Sequence, residues 1–253
     1  MYWLKIALFS ILDNESETSN NYIIAKFILE NYDQLSGVSL TEISRRCNLS
    51  KAAISRFCKD LGLIDYIDLQ MLIRASHSKS CEDKPVLSLD EQKQVYLSHL
   101  KQITDHFPEI MADPAVEDLI SDILQHQTIY TFGHLQASHI AYTLRNSLAV
   151  YGIFCYSAQS WVEQREKLKN AGKDDLVIIF SASGDFFKRL DINMSFIEKA
   201  DAPKIYMVTF GRDNGAPSKI RKIYLGDTAE DPRSNIQMNM LINYISYRIS
   251  MIR

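Results

Sequence analysis

The sequence predicts two domains of different fold class, an all-α segment followed by an α/β segment with a doubly wound parallel sheet. Up to about residue 76 every apolar pattern has helical spacing, whereas beyond residue 88 helices alternate with short runs of consecutive apolar residues. Such runs are typical of strands buried on both faces of a parallel sheet. A polar stretch that ends in proline separates the two patterns. We therefore expect domains at residues 1–76 and 89–253, joined by a linker at 77–88.

The composition is that of an ordinary globular protein, with 253 residues, 46% of them hydrophobic, and a formal net charge of −3. A nearly neutral chain is not a general polyanion binder, so any nucleic-acid surface must be a local patch. The four cysteines, Cys47, Cys58, Cys81 and Cys155, lie too far apart for a CxxC metal knuckle and fit a reduced, cytoplasmic setting. We expect no metal and no cofactor.

The N-terminus has an apolar run, Ile6–Leu12, that superficially suggests a signal peptide. Acidic residues follow it at once, it lacks a small-residue cleavage site, and it is far too short to span a bilayer. We expect an amphipathic helix that packs on a neighbour, and no membrane association. Its apolar residues Trp3, Leu4, Leu8 and Leu12 are also candidates for a contact between subunits.

Four helices are predicted in the rest of the first domain. The first covers Asn21–Asn31, and Ile23, Ile24, Phe27 and Ile28 supply its buried stripe. The others are predicted at 40–47, 50–61 and 66–73.

The helix at 50–61 has one apolar and one basic face. The apolar face follows the spacing i, i+3, i+4, i+7, with Ile54, Phe57, Cys58 and Leu61. Ala52, Arg56 and Lys59 fall on the opposite face. Ser50 is a favourable N-cap and Gly62 a favourable stop.

Two short helices joined by a tight turn, the second basic, fit a helix-turn-helix that reads DNA. Small side chains let the backbone approach the major groove, and cations reach phosphates or guanine edges. The sequence from Leu40 to Lys59 contains five cations and one acidic residue, Glu42, which gives a local charge of +4. The alternative is a solvated face of a protein-interaction bundle. The candidate DNA-binding residues are Arg45, Ser50, Lys51, Ala52, Ala53, Ser55, Arg56 and Lys59.

The stretch LTEISRRCNLSKAAISRFCKDLGLIDYIDLQMLI resembles the N-terminal domain of RpiR-type bacterial transcriptional regulators. Three parts of this stretch match that family's pattern: Glu42-Ile43-Ser44, the cap Ser50, and the run Arg56-Phe57-Cys58-Lys59-Asp60-Leu61-Gly62. The preceding helix also fits, with the ending Ile28-Leu29-Glu30-Asn31. The resemblance implies binding to a double-stranded DNA operator.

In the second segment a long helix is predicted from Asp90 to Phe107, and another begins after Pro114, a favoured first-turn residue. A closing helix is expected from Asn235 to about Met251. The predicted strands are 129–132, 153–156, 176–180, 205–209 and, more weakly, 223–225.

RpiR-type regulators carry a C-terminal sugar isomerase (SIS) domain that binds phosphosugars, and the second segment resembles it more weakly. Ligands of open α/β sheets bind beyond the carboxyl ends of the strands. Two loops there match the family in part, and they supply the candidate ligand-binding residues Gly133, Gln136, Ser138, Ser181, Ser183 and Gly184. Leu135, Ala137 and Phe186 depart from the family pattern, and Phe186 offers an apolar ring in place of a hydroxyl. The serines could instead only cap helices. Arg233 either contacts an anion or simply faces the solvent.

The resemblance implies a regulator of carbohydrate metabolism genes that senses a phosphosugar or related ligand and acts as a homodimer or tetramer. One alternative is a regulator whose SIS domain only dimerises. The other is an isomerase, for which His134, His139 and Glu163 are the nearest candidate bases. Nothing in their spacing singles them out, so we expect no enzymatic activity.

Overall fold

A computed structural model of the chain describes residues 3–78, 87–134, 136–158, 160–189, 194–211, 219–226 and 234–253. The chain divides into two compact units, residues 1–86 and 87–253. Most of the predicted linker, residues 79–86, lies outside the described residues. No helix in the described part of the chain has the length and apolar content needed to cross a membrane.

The described part of the first unit is helical, as predicted. Its helices are α1 (Trp3–Asn14), α2 (Asn20–Glu30), α3 (Leu40–Cys47), α4 (Lys51–Asp60) and α5 (Tyr66–Ser78), with a 3-10 turn at Tyr32–Gln34. The last helix extends five residues beyond its predicted end. In α2 the fully buried residues are Ile24, Ala25 and Ile28, whereas the predicted core residues Ile23 and Phe27 are half-buried.

The N-terminal helix α1 packs on α2, which confirms the expected neighbour. Leu4 and Leu8 are completely buried within the chain itself. The expectation that these two residues form a contact between subunits is therefore wrong, because the core of their own unit already covers them. Phe9, by contrast, is an exposed apolar residue of this helix.

The second unit is built on a five-stranded parallel sheet in the order β2-β1-β3-β4-β5. The strands are β1 (Thr128–Gly133), β2 (Cys155–Ser157), β3 (Asp175–Phe180), β4 (Lys204–Thr209) and β5 (Arg221–Tyr224). The helices are α6 (Leu89–Met111), α7 (Pro114–Gln125), α8 (Gln136–Ala149), α9 (Trp161–Asn170), α10 (Phe186–Arg189) and α11 (Ser234–Ile252), with a 3-10 turn at Met194–Phe196.

The sheet is covered on both faces, as the continuous apolar strands predict. Along β3, Leu176, Ile178 and Phe180 belong to the apolar cluster that includes α6, α7, α8 and α11. Val177 and Ile179 belong to the cluster on the opposite face, with Phe186 and Leu168. The predicted doubly wound α/β architecture is thus confirmed.

A polar network lies at the amino end of β4, the end opposite the candidate ligand loops. Asp122 of α7 is buried, accepts a hydrogen bond from the Tyr206 hydroxyl at 2.6 Å, and pairs with the Lys204 ammonium at 2.7 Å. Burial and the Asp122 carboxylate together raise the pKa of Tyr206. The network satisfies a phenol within the apolar core and ties α7 to the sheet.

Candidate nucleic-acid interface and effector crevice

The turn between α3 and α4 is fixed by backbone geometry and by one hydroxyl. Asn48 takes the left-handed conformation with φ 54°, which ends α3. Leu49 is then bound twice to Ser44. Its amide donates to the Ser44 carbonyl at 3.0 Å, and its carbonyl accepts from the Ser44 hydroxyl at 2.5 Å. These two bonds tie the start of α4 to α3.

Helix α4 presents the two faces that the sequence predicts. Ile54, Phe57 and Cys58 are completely buried, and Gly62 ends the helix region with φ +78°. The Ser50 hydroxyl accepts from the Ala53 amide at 3.1 Å, so it is engaged as the N-cap. On the other side Lys51, Ala52, Arg56 and Lys59 are exposed, and Ala53 and Ser55 are half-buried.

The five cations of this region divide into two groups. The Arg45 guanidinium donates two hydrogen bonds to Glu42, at 3.0 and 2.7 Å, and this contact lowers the pKa of the Glu42 carboxyl. Arg46 donates to the Asn31 side chain at 3.0 Å and lies 4.9 Å from the centre of the Phe27 ring.

The remaining cations, Lys51, Arg56 and Lys59, have no ion pair or side-chain hydrogen bond with any residue that the structure describes. The predicted patch therefore has three free cations rather than five, all on α4.

The candidate ligand loops flank the point where the strand order reverses. From β1 the chain crosses to β2 on one side, whereas β3 and β4 follow on the other side of β1. The loop after β1 and the loop after β3 therefore lie next to each other at the carboxyl edge of the sheet. Open α/β folds bind ligands at this kind of crevice.

Gly133 has a packing role that the sequence did not indicate. A Cβ atom at this position would lie 2.3 Å from the Ala137 carbonyl oxygen and 2.9 Å from the Ser138 nitrogen. The first turn of α8 thus sits directly on the end of β1, and only glycine leaves room for it. Ala137 and Ser138 are buried by this contact, whereas Gln136 is exposed.

The loop after β3 is a tight turn joined to β4. The Ser181 amide donates to the Val208 carbonyl, and the Gly184 amide donates to the Ser181 carbonyl, both at 3.0 Å. Gly184 has φ +76°, a conformation that favours glycine. Ser181 is almost buried, whereas Ser183 is exposed at the turn.

The expected apolar ring in the crevice is not there. Phe186 is completely buried in the cluster beneath α9 and α10, edge-on to Phe187 with ring centres 5.5 Å apart. The prediction that Phe186 faces the ligand is wrong, because burial in this core is more favourable for the ring than exposure at the loop. The crevice lacks a hydroxyl at this position and gains no apolar surface. Leu135 and Arg233 lie outside the described residues.

Two polar residues of the crevice were missed from the sequence. Gln164 of α9 is buried and donates to the carbonyl oxygens of Gly133, at 2.9 Å, and Ala158, at 2.6 Å, so it ties together the segments that follow β1 and β2. Asn235, in the first turn of α11, lies 3.5 Å from the Gln136 side chain. Gln164 sits in the charged run EQREK, which gives no periodic signal of burial.

The groups considered for catalysis do not form a cluster. His139 and Glu163 are exposed, and His134 is half-buried. Among the described residues no group of His, Cys, Asp or Glu could hold a metal ion. Burial raises the pKa of Cys47 and Cys155 to about 11 and that of Cys58 to about 12. These thiols are therefore protonated at neutral pH and unsuited to nucleophilic attack.

Residues 11–80 match the model of the helix-turn-helix domain of the rpiR family. The matched residues lie in the N-terminal unit, so the similarity to this family concerns the helix-turn-helix region. The expected resemblance is confirmed for this part of the chain, and the matched residues include all eight candidate DNA-binding residues.

The similarity to two curated relatives covers more residues than the helix-turn-helix match. An uncharacterized HTH-type transcriptional regulator of Caldanaerobacter subterraneus is 24% identical over 204 residues, which covers 79% of this chain and 72% of the relative. A second HTH-type transcriptional regulator, from Providencia stuartii, is 21% identical over 202 residues, or 75% of this chain and 69% of the relative.

About two thirds of the chain is similar in fold to a solved structure. That structure is an E. coli CFT073 protein in complex with a phosphosugar, and the match has a TM-score of 0.52 and 15% identity. It covers 66% of this chain and 93% of the other. The likeness concerns the fold alone, and it agrees with the predicted parallel α/β architecture.

Proposed function

We propose that the protein is a transcriptional regulator that binds operator DNA sequence-specifically through α4 and acts in the cytoplasm without enzymatic activity. The observation that carries the proposal is the set of three free, exposed cations on the face of α4 opposite its buried side. Cations without internal partners are available to phosphates and guanine edges. The HTH-type regulators among the relatives support the same function.

The proposal is tested by selection from a random duplex library with the full chain. We expect enrichment of a discrete sequence, arranged as two half-sites about one helical turn apart if two copies bind together. A selected pool with the base composition and affinity of the starting pool would refute the proposal.

Removal of the Ser44 hydroxyl is expected to reduce the specificity of binding. Ser44→Ala removes one of the two hydrogen bonds that hold the start of α4. We therefore expect the affinity for the selected duplex, divided by the affinity for a random duplex, to fall about three- to tenfold. Ser39→Ala is the matched control. It removes the N-cap hydrogen bond that the Glu42 amide donates to the Ser39 hydroxyl of α3, and it leaves the turn between α3 and α4 unchanged. Fluorescence anisotropy with both duplexes measures the ratio. Equal ratios for the two variants would contradict a positioning role for Ser44.

We further propose that the crevice between β1 and β3 binds an anionic or polyol effector, with a phosphosugar as the leading class. Ser183 is an exposed residue there, and the neighbouring candidates are Gly133, Gln136, Ser138, Ser181 and Gly184. The first turn of α8 opens at the same edge, and a helix N-terminus favours negative charge. The related E. coli CFT073 fold in complex with a phosphosugar supports the ligand class.

Common hexose phosphates are expected to bind weakly. Compared with the family pattern, hydroxyls are missing at Ala137 and at Phe186, and each missing hydrogen bond to a charged group removes about 1.5–3 kcal/mol. Two such losses would reduce affinity by two or more decades. A thermal-shift screen with the full chain, comparing sugar phosphates, amino-sugar phosphates and unphosphorylated sugars, identifies any ligand that stabilises the folded state.

The control for the screen is a serine outside the crevice. Ser183→Ala should abolish the shift of any ligand found, whereas Ser98→Ala, on an exposed part of α6, should preserve it. Micromolar binding of a common hexose phosphate that Ser183→Ala abolishes would contradict this expectation. It would show that the departures from the family pattern weaken phosphosugar binding less than we infer. A screen without any shift favours the alternative, a regulator whose second domain only joins subunits.

A further inference from the structure

Two buried side chains of α5 hold the turn that precedes α3. We define this pair, Tyr66 and Gln70, as the α5 clasp; its i, i+4 spacing places both residues on one side of the helix. The Gln70 side-chain carbonyl accepts from the Gly37 amide at 2.8 Å, and the Tyr66 hydroxyl donates to the Val38 carbonyl at 2.8 Å. The Gln70 side-chain amide also donates to the Tyr66 hydroxyl at 2.8 Å. The clasp is therefore one continuous chain of hydrogen bonds that ends on two adjacent residues of the turn.

The turn that the clasp holds lies directly before α3. The Val38 amide donates to the Leu35 carbonyl at 3.2 Å, and Gly37 has φ +82°, a conformation that favours glycine. The next residue, Ser39, is the N-cap of α3, and its hydroxyl accepts from the Glu42 amide at 3.2 Å. Since no residue separates the turn from the cap, a shift of the turn moves the start of α3.

Helix α5 also contacts the other helix of the helix-turn-helix pair. It packs against α4, and its residues Leu69 and Ile73 are completely buried. Thus α5 holds the pair at two places, α4 through helix packing and the start of α3 through the clasp. The position of α3 relative to α4 therefore depends on both contacts of α5.

The clasp is buried, although apolar side chains could fill the same space. Tyr66 is 7% exposed and Gln70 is 8% exposed. Burial raises the pKa of Tyr66, so its hydroxyl stays protonated at neutral pH and remains a donor. The net contribution of such hydrogen bonds to stability is modest, but a satisfied buried network specifies one arrangement of the groups that it joins. The clasp is therefore suited to fixing the position of the turn more than to adding stability.

We propose that Tyr66 and Gln70 are positioning residues for the reading of DNA, and that they act through the turn at 35–38 to hold α3 and α4 in the arrangement that base contacts require. The inference rests on the proposed function, because it concerns how α4 is presented to the operator. Contacts to base edges need a defined geometry, whereas attraction to phosphates is sequence-independent. A displaced helix pair therefore loses sequence preference before it loses affinity for DNA in general.

Anisotropy titrations of the full chain with the selected duplex and with a random duplex test the proposal. Gln70→Met removes two hydrogen bonds at similar side-chain volume, and we expect the affinity for the selected duplex, divided by that for the random duplex, to fall about tenfold. Tyr66→Phe removes only the hydroxyl and should lower this ratio to a similar extent. The double variant should lower the ratio by less than the product of the two single effects, because both residues belong to one hydrogen-bond chain. The random-duplex affinity and its salt slope should stay unchanged, since no cation is removed.

The matched control for stability is Ile24→Val, which removes one methylene group from the buried face of α2 and no hydrogen bond of the clasp. We expect a lower Tm and the wild-type affinity ratio for this variant. The proposal is overturned if Ile24→Val lowers the ratio as much as the clasp variants do, or if the effects of the two clasp substitutions multiply. A wild type that binds both duplexes equally would overturn the proposed function and this inference with it. A wild type that discriminates between the duplexes, with clasp variants that discriminate equally well, would overturn this inference alone.

Discussion

Replacing Lys51, Arg56 and Lys59 together by alanine is expected to weaken operator binding by at least about a hundredfold. The three cations are exposed on one face of α4 and have no partner among the described residues, so their charge is free for DNA. Each bond to a base edge or phosphate is worth about 1–3 kcal/mol, and removing three therefore costs more than two decades in affinity. The slope of log affinity against log salt should also become shallower, by about 0.9 for each phosphate that the variant no longer neutralises. Anisotropy titrations across a salt series measure both effects.

The control must change the net charge equally without touching α4. Lys169, Lys173 and Lys199 are exposed lysines of the second unit, and their triple replacement by alanine removes the same three charges. We expect this variant to bind the operator within about twofold of the wild type. If both triple variants lose affinity equally, the binding is a general charge effect and α4 is not its site.

Gly133→Ala is expected to destabilise the second unit by about 3 kcal/mol. The added Cβ would lie 2.3 Å from the Ala137 carbonyl oxygen, and this oxygen belongs to the backbone of α8, so the helix must shift away from β1. The reduced entropy of the unfolded chain offsets less than 1 kcal/mol of that cost. Urea denaturation followed by circular dichroism measures the loss, and we expect effector binding at the displaced loop to weaken with it.

Gly172→Ala is the matched control, because the nearest atom to its added Cβ is the Asp201 carbonyl oxygen at 3.9 Å and its φ is not positive. This substitution should leave the free energy of unfolding unchanged or raise it slightly. Equal stability of the two variants would mean that α8 does not press on Gly133 as described.

Helix α4 could be predicted almost completely from the sequence. Its apolar spacing, its serine cap and its terminal glycine are all local signals, and they agree with one another. Asn48 also follows a local rule, since asparagine tolerates the left-handed conformation that ends α3. Periodicity could not predict which side chains pair with the cations. Arg45 meets Glu42 within one helix, but Arg46 meets Asn31 and Phe27 of another, and such a contact depends on how the helices pack.

The fold class of the second unit could be predicted from the sequence, but the geometry of its candidate ligand site could not. Runs of buried residues such as 176–180 indicate a covered parallel sheet whatever lies on its faces. The orientation of Phe186 was missed because a four-residue helix gives no periodic signal, so alignment to a motif was the only guide. Gln164 and Asp122 are buried polar residues whose partners lie elsewhere in the chain, up to 84 residues away for Asp122. Sequence spacing contains no information about such pairs.

The most direct test of the central claim is the affinity of the full chain for the selected duplex and for a scrambled duplex of the same composition. Competition anisotropy at about 0.15 M salt measures both. Regulators bind their operators at least about a thousandfold more tightly than random DNA, and we expect a ratio of that order. Equal affinities for the two duplexes, with the same salt slope, would contradict the account, because the cations of α4 would then hold phosphates without reading sequence.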